Sequence, residues 1–145
     1  MEFSRHVTIK WAGPIMEGTG TVAAGSGAFS LPVTFPRRIG EPEGVTSPEE
    51  LMAAAHAACF AMALNATVGR KGGAIAKTHI TCKVTADKGE GGIKITTSAL
   101  SVVAEGLTGI AAADFAEVAK AAEAGCPVSN AYRGSMTVTL EASVK

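Results

Sequence analysis

The chain has few aromatic side chains, no excess of charge of either sign and no apolar run of membrane-spanning length. Only 5% of its 145 residues are aromatic although 47% are hydrophobic, so alanine and valine supply most of the apolar surface. The 13 basic and 13 acidic residues balance, which argues against nucleic acid or an anionic membrane as a partner. The longest apolar stretch, 51–64, contains His56 and falls short of the roughly 20 residues that cross a bilayer. We therefore expect neither a nucleic-acid partner nor a membrane span.

Short motifs that would assign a metal or a nucleotide are also missing. There is no Cys-x-x-Cys, no His-Glu-x-x-His and no cysteine–histidine cluster with zinc spacing, so we expect no metal and no cofactor. No Gly-x-Gly-x-x-Gly or Walker A sequence is present either. Residues 1–6 lack the apolar segment of a signal peptide, which favours a cytoplasmic location. In that reducing compartment, cysteines are expected to be catalytic or inert rather than a disulfide framework.

Apolar periodicity and turn residues predict a single α+β domain over residues 1–145. A three-stranded β-meander precedes a loop with two arginines, and a long apolar helix follows it. A β-hairpin, two shorter helices and a C-terminal strand complete the chain. The predicted ranges are strands 3–11, 18–24 and 28–35, a loop at 36–44, the long helix from Ser47 to about Val68, hairpin strands 75–87 and 93–104, helices 111–124 and 127–132, and a last strand 135–144.

The long helix has a well-marked start and an unusual distribution of apolar residues. Ser47 can act as the N-cap, Pro48 suits the first helical position, and Glu50 completes a capping box three residues after the cap. From 51 to 64 the helix is apolar on every face, which predicts that protein surrounds it on all sides. A small domain rarely encloses a helix so completely, and burial between two subunits is the simpler interpretation. The sequence therefore predicts a homo-oligomer.

Two cysteines stand in settings that indicate redox chemistry. Cys59 lies in the apolar helix, where its alternative role is that of a small buried hydrophobic residue. Cys126 precedes Pro127 and can cap a short helix whose free amides would face its sulfur; the alternative is a simple turn between helices. Only the combination of the two favours function. Cys82 falls on the apolar face of a strand, and we interpret it as core.

Charged residues that could act on Cys59 lie upstream of it. A thiolate at neutral pH needs a nearby cation or a helix N-terminus. Arg37, Arg38 and Glu49 form a charged cluster before the apolar part of the helix. At about 100° per residue, Glu49 lies within about 80° of the face of Cys59, whereas Glu50 lies on the opposite side. Glu49 is therefore the carboxylate expected to contribute to a site, and Glu50 is expected to cap the helix.

His56 introduces two further hypotheses, because it lies three residues before Cys59 and is its neighbour on the helix. As a general base it would make the pair a Cys-His hydrolase or acyl transferase. Residues three apart on one helix are poorly placed for that chemistry, and no third, orienting group is evident. A lone histidine in an apolar helix is more often a hydrogen-bonded packing residue. A third hypothesis is a non-enzymatic, stress-associated ligand-binding dimer with inert thiols.

Two motifs of the chain resemble the OsmC/Ohr family, and the likeness covers essentially the whole sequence. The motifs are Thr46-Ser47-Pro48-Glu49-Glu50-Leu51 with Ala54-Ala55-His56-Ala57-Ala58-Cys59-Phe60-Ala61-Met62-Ala63-Leu64, and Ala124-Gly125-Cys126-Pro127-Val128-Ser129. The His-Ala-Ala-Cys-Phe version is closer to the osmotically inducible OsmC branch than to the organic hydroperoxide resistance branch. The resemblance implies an OsmC-like intertwined homodimer, in which sheets wrap two long central helices and two active sites lie at the subunit interface.

The resemblance also implies a thiol-dependent peroxidase that reduces organic hydroperoxides and hydrogen peroxide in oxidative and osmotic stress defence. Its peroxidatic cysteine would be Cys59 and its resolving cysteine Cys126, which together form a disulfide. The activating arginine would be Arg38, with Glu49 as its carboxylate partner, although sequence alone leaves Arg37 as the alternative. An external dithiol, of the lipoyl type on a partner protein, would reduce the disulfide. The residues expected to line an apolar pocket around Cys59 are Leu51, Phe60 and Met62.

Overall fold

The computed structural model describes all 145 residues, which divide into two compact units, 1–51 and 52–145. The N-terminal unit contains strands β1 (Val7–Ala12), β2 (Thr19–Ala24) and β3 (Ser30–Val33) and a short helix α1 (Phe35–Ile39). Helix α2 (Pro48–Arg70) begins in this unit and continues into the next. The C-terminal unit adds β4 (Ala74–Gly89), β5 (Gly92–Thr108), α3 (Phe115–Ala124), α4 (Pro127–Tyr132) and β6 (Thr137–Val144). The predicted α+β class and the predicted order of elements are confirmed.

In the N-terminal unit the three strands form an antiparallel sheet in the order β1-β2-β3. The loop predicted at 36–44 is wrong in its first part, because helix α1 occupies Phe35–Ile39. The Oγ1 of Thr34 accepts a hydrogen bond from the N–H of Arg37 at 3.4 Å and caps this helix. Pro36 fits because amides in the first turn need no partner within the helix. Helix α1 carries both arginines, and it sets them in different directions.

Helix α2 begins where its sequence predicts and has the predicted cap at Ser47, but the carboxylate of Glu50 accepts a hydrogen bond from the Thr46 hydroxyl at 2.7 Å instead of completing a capping box. The Oγ of Ser47 accepts a hydrogen bond from the N–H of Glu50 at 3.1 Å, which satisfies one free amide of the first turn. The helix passes through Gly69 and ends at Arg70, slightly beyond the predicted end. By length and composition alone α2 could cross a membrane, but the core helix of a soluble protein passes the same test.

One face of α2 is buried within the chain and the opposite face is open. The buried residues recur every three or four positions and are His56, Phe60, Leu64, Thr67 and Val68. The open stripe is small or flexible and comprises Ala54, Ala55, Ala58, Met62, Asn65 and Ala66. Met62 is 74% exposed, so a long apolar side chain stands free on this stripe. A single chain thus leaves part of the apolar surface of α2 uncovered.

In the C-terminal unit, β4 and β5 form a long antiparallel hairpin, and β6 pairs parallel to β5. A parallel neighbour needs a crossover, which the segment with α3 and α4 supplies. A 3-10 turn, Ala112–Asp114, precedes α3, so the helix predicted from 111 begins at Phe115. The core of this unit joins α2, β5 and α3 through Phe60, Leu64, Val68, Leu100, Val102, Ala104, Phe115, Val118, Ala119 and Ala122. The crossover also places Cys126 in this core.

Candidate active site

Cys59 of α2 and Cys126 at the start of α4 lie together as free thiols. Cys59 is half-buried and Cys126 is fully buried, and the two thiols are close enough that Cys126 raises the pKa of Cys59. Cys126 is the N-cap of α4 and Pro127 follows it, as the sequence predicts, but the Cys126 side chain caps no amide. The backbone amide of Val128 acts instead on Cys59, where it lowers the pKa of the thiol. The Cys126 sulfur thus accepts no hydrogen bond from the amides of α4 that were expected to face it.

The surroundings of Cys59 within the C-terminal unit favour its protonated form. Burial raises the pKa of the Cys59 thiol, the Val128 amide lowers it, and the neighbouring Cys126 raises it again. The balance is a pKa above the ordinary value of 9.0. The Val128 amide alone does not bring the pKa of Cys59 below its ordinary value, and a nearby cation would lower it further.

A cavity of about 390 Å³ opens beside Cys59. Its walls are mostly small or apolar side chains from α2, α3 and the start of α4, namely Cys59, Met62, Ala63, Ala66, Thr67, Arg70, Ala121, Ala122, Gly125 and Pro127. Of the predicted pocket residues, Met62 lines this cavity. Phe60 does not, because it points into the core and is fully buried. Leu51 belongs to the N-terminal unit.

Arg38 and Glu49 form a close ion pair in the N-terminal unit. Arg38 Nη2 donates to Glu49 Oε1 at 2.7 Å, and Nε donates to both carboxylate oxygens at 3.1 and 3.2 Å. Burial opposes ionisation of Glu49, but hydrogen bonds from Arg38 and the backbone outweigh it and lower the pKa of the carboxyl group. The hydrogen bond to Glu49 likewise raises the pKa of Arg38. Both groups are therefore held charged, and the guanidinium is fixed in orientation.

The neighbouring Arg37 has a different partner. Its guanidinium pairs with Glu43 at 2.6 Å, and the two side chains are 40% and 63% exposed. Such exposed pairs contribute little to stability. Because adjacent residues on α1 point about 100° apart, only Arg38 shares a pocket with apolar side chains. That pocket, of about 310 Å³, is lined by Val7, Ile9, Trp11, Ile15, Val22, Val33, Thr34, Phe35, Arg38, Thr46, Pro48 and Leu51.

His56 is the centre of a buried polar cluster that the sequence did not predict. Its Nδ1 is hydrogen-bonded to Ser98 Oγ and its Nε2 to Ser129 Oγ, both at 2.7 Å, and all three residues are fully buried. Burial lowers the pKa of His56, so its ring stays neutral, donating to one serine and accepting from the other. Cys82 packs against the core, as predicted, and its sulfur lies 3.3 Å from Ser98 Oγ.

This geometry decides between the two roles considered for His56. Both ring nitrogens are engaged by serines, so neither is free to deprotonate Cys59. His56 is therefore the hydrogen-bonded packing residue. No group of three or more His, Cys, Asp or Glu side chains is arranged to hold a metal ion. Ser129 could have been singled out from the sequence, because it belongs to the second cysteine motif. No local pattern singles out Ser98, because its contact with His56 joins distant parts of the chain.

Comparison with known proteins identifies the family. Residues 40–141 match the family described as OsmC-like protein. Peroxiredoxin OsmC of Escherichia coli (strain K12) is 42% identical over 130 residues, covering 88% of this chain and 89% of that protein. Organic hydroperoxide resistance protein OhrA of Bacillus subtilis (strain 168) is 34% identical over 126 residues, covering 84% and 86%. The chain belongs to the OsmC-like family, and its greater likeness to the OsmC branch is confirmed.

Solved structures share the fold over nearly the whole chain. An organic hydroperoxide resistance protein from Elizabethkingia anophelis has a TM-score of 0.77 at 26% identity and covers 100% of both chains. An organic hydroperoxide resistance protein OsmC from Legionella pneumophila has a TM-score of 0.74 at 29% identity, covering 95% of this chain and 96% of that one. The likeness includes both units and the long helix that joins them.

Proposed function

We propose that this chain is a cytoplasmic thiol-dependent peroxidase that reduces organic hydroperoxides and hydrogen peroxide in oxidative and osmotic stress defence. The observation that carries the proposal is the contact between the half-buried thiol of Cys59 and the buried thiol of Cys126. The cavity beside Cys59 gives a substrate access to that sulfur alone. Relatives named peroxiredoxin OsmC and organic hydroperoxide resistance protein support the same activity.

In the first step the Cys59 thiolate attacks one peroxide oxygen. The O–O bond breaks, the Cys59 sulfur becomes a sulfenic acid, and the other oxygen takes a proton and leaves as an alcohol or, from hydrogen peroxide, as water. Arg38 is the activating cation, which offsets the raised pKa of Cys59 and polarises the peroxide. Glu49 holds the guanidinium in place. The apolar pocket that contains Arg38 favours substrates with an alkyl or aryl group.

In the second step Cys126 attacks the sulfenic sulfur of Cys59. A disulfide forms between the two cysteines, and the hydroxyl group leaves as water. An external dithiol then reduces this disulfide by exchange and is itself oxidised to a disulfide. A lipoyl-type dithiol on a partner protein fits this role, because its two sulfurs can displace both cysteines in sequence.

The functional form is proposed to be a homodimer. The open stripe of α2 presents alanines and the exposed Met62 along several turns. An apolar helix face of this kind is stabilised by packing against another surface. A second copy of the same helix would cover the open stripe of both chains at once, through a self-complementary two-fold interface.

Stopped-flow oxidation of the reduced protein tests the function. We expect cumene hydroperoxide and hydrogen peroxide each to remove two thiols rapidly, and mass mapping to identify a Cys59–Cys126 disulfide. The aryl hydroperoxide is expected to react faster, because the pocket with Arg38 is apolar. Slow oxidation without that disulfide would overturn the proposal.

A non-enzymatic, ligand-binding dimer is the second candidate, and the raised pKa of Cys59 favours it. Titration of Cys59 reactivity with iodoacetamide in the full chain separates the two. A pKa below the ordinary thiol value supports the peroxidase, whereas an elevated pKa together with inert thiols supports the binding protein.

A further inference from the structure

The segments that carry the two cysteines contact each other at three positions, each three or four residues from the next. On α4 the contacting residues are three apart and lie on one face: Cys126, Ser129 and Tyr132. On α2 their partners run in the opposite direction: Cys59, His56 and Met52. The pairing of α4 with α2 is thus antiparallel, and the thiol pair stands at one end of it.

Each of these contacts has a polar component. Next to the thiol pair, Ser129 Oγ and His56 Nε2 are 2.7 Å apart. One turn further, the hydroxyl of Tyr132 donates to the carbonyl oxygen of Met52 at 3.0 Å. The ring of Tyr132 also meets the imidazole of His56 edge-on, with 5.2 Å between centroids. The His56–Ser129 hydrogen bond is fully buried and cannot be exchanged for one to water, so it fixes geometry strongly, whereas the Tyr132–Met52 bond is part-buried.

We propose that His56 and Ser129 are positioning residues that hold α4 in register on α2 and thereby set the rate at which Cys126 closes the disulfide with Cys59. Helix α4 spans only Pro127–Tyr132, too short to hold its own position by regular packing. The His56–Ser129 bond lies one turn from both sulfurs and is fully buried. A misplacement of about 1 Å can cost on the order of 10²-fold in rate.

The structure supplies a matched control for this role. Ser98 contacts the same imidazole at the same 2.7 Å and is equally buried. It lies on β5, however, and that strand carries neither cysteine of the pair. Removing the Ser98 hydroxyl therefore takes a serine partner from the other ring nitrogen, Nδ1, which keeps the sulfur of Cys82 at 3.7 Å, and it does so without releasing α4. The two serine-to-alanine variants separate general destabilisation from positioning.

The inference deepens the proposed function, because it concerns the resolving step, yet it can be tested without peroxide. One equivalent of 5,5′-dithiobis(2-nitrobenzoate) is mixed with the reduced full chain. The Cys59 thiolate attacks the reagent disulfide, forms a mixed disulfide and releases one thionitrobenzoate anion. The Cys126 thiolate then attacks the Cys59 sulfur, closes the protein disulfide and releases the second anion. The second, first-order release measures how readily Cys126 reaches Cys59, and mass mapping confirms the sulfurs involved.

We expect Ser129→Ala to slow the second release by about ten-fold or more, while the first release is unchanged. Ser98→Ala should stay within about two-fold of the parent, and Ser129→Thr, which keeps the hydroxyl, should restore the parent rate. A parent-like second release in Ser129→Ala, or equal slowing in Ser98→Ala, overturns the proposal. If Ser129→Ala does not fold, Tyr132→Phe removes the other hydrogen bond of α4 to α2 and must slow the same step. If cumene hydroperoxide fails to oxidise Cys59 while the reagent still ranks the variants in this order, the peroxidase is wrong and the positioning role stands.

Discussion

Arg38 and Glu49 are joined by three hydrogen bonds within one ion pair, whereas the adjacent Arg37 makes a separate pair with Glu43. Two adjacent residues of α1 therefore differ: the guanidinium of Arg38 is more buried and held by three hydrogen bonds, whereas that of Arg37 is more exposed. The difference matters for the proposed function, in which a cation offsets the raised pKa of Cys59. It also makes the two arginines a natural pair for mutagenesis.

Replacing Arg38 by alanine should slow oxidation of Cys59 far more than it alters stability. We expect a loss on the order of 10²-fold in the second-order rate with cumene hydroperoxide, because a charge that stabilises the thiolate and the transition state is removed. Stopped-flow kinetics with one equivalent of peroxide gives this rate directly. Arg37→Ala is the control and should stay close to the parent, since its pair with Glu43 is exposed. Equal rates for the two variants would exclude a special role for Arg38.

Replacing Cys126 by serine should block resolution and leave the first oxidation intact. The Cys59 sulfenic acid then has no neighbouring thiol and persists, so it can be trapped with dimedone or oxidised further to sulfinic acid. Intact-mass measurement after increasing amounts of peroxide distinguishes these products. Cys82→Ala is the control, because Cys82 contacts Ser98 rather than Cys59. Disulfide formation that survives in Cys126→Ser would assign the resolving thiol elsewhere.

Stability should fall as the pH drops below about 6.5, on account of His56. Burial lowers the pKa of this histidine from 6.5, so the unfolded chain binds a proton more readily than the folded one in that window. The free energy of unfolding therefore decreases as pH falls from about 7 into this window. Urea unfolding at several pH values measures the slope, and NMR of the imidazole should show titration below pH 6.5. Titration at or above that value would mean that the ring is not held neutral by burial.

A charge on the open stripe of α2 should disrupt self-association. Met62→Lys places an ammonium group where an exposed apolar side chain stands, and burying that charge in an interface is costly. Analytical ultracentrifugation should show a dimeric parent and a predominantly monomeric variant at micromolar concentration. Ala116→Lys, at an exposed position of α3, is the control and should remain dimeric. A parent that sediments as a monomer would contradict the proposed assembly.

The elements that depend on interactions between neighbouring residues could be predicted from the sequence. The cap at Ser47, the hairpin and the short helix after Cys126 were predictable because each is governed by neighbouring residues. Helix α1 was missed because its five residues include a proline and two arginines, a composition also typical of loops. The apolar pattern of α2 predicted that the helix is surrounded by protein. It could not predict that one chain buries only the face with Phe60 and Leu64.

The contacts of the candidate site depend on tertiary structure and could not be predicted from local sequence patterns. Ser98 meets His56 only because β5 runs beneath α2, and no local pattern around Ser98 encodes that meeting. For a similar reason the sequence could not predict that the amide of Val128 lowers the pKa of Cys59. A helix start predicts that free amides exist, but the packing of α4 against α2 decides which sulfur receives them.

The parallel pairing of β6 with β5 has a consequence for how the chain reaches its native state. The contacts of the β4–β5 hairpin and of α2 join residues that are close in sequence. Strand β6, in contrast, is separated from its partner β5 by the crossover with α3 and α4. Contacts of larger sequence separation form more slowly. We therefore expect Cys126 to be shielded later than Cys59 and Cys82, which lie on α2 and β4. In an oxidising refolding buffer the early partners can be trapped as a wrong disulfide, so a reductant should be present until the sheet is complete.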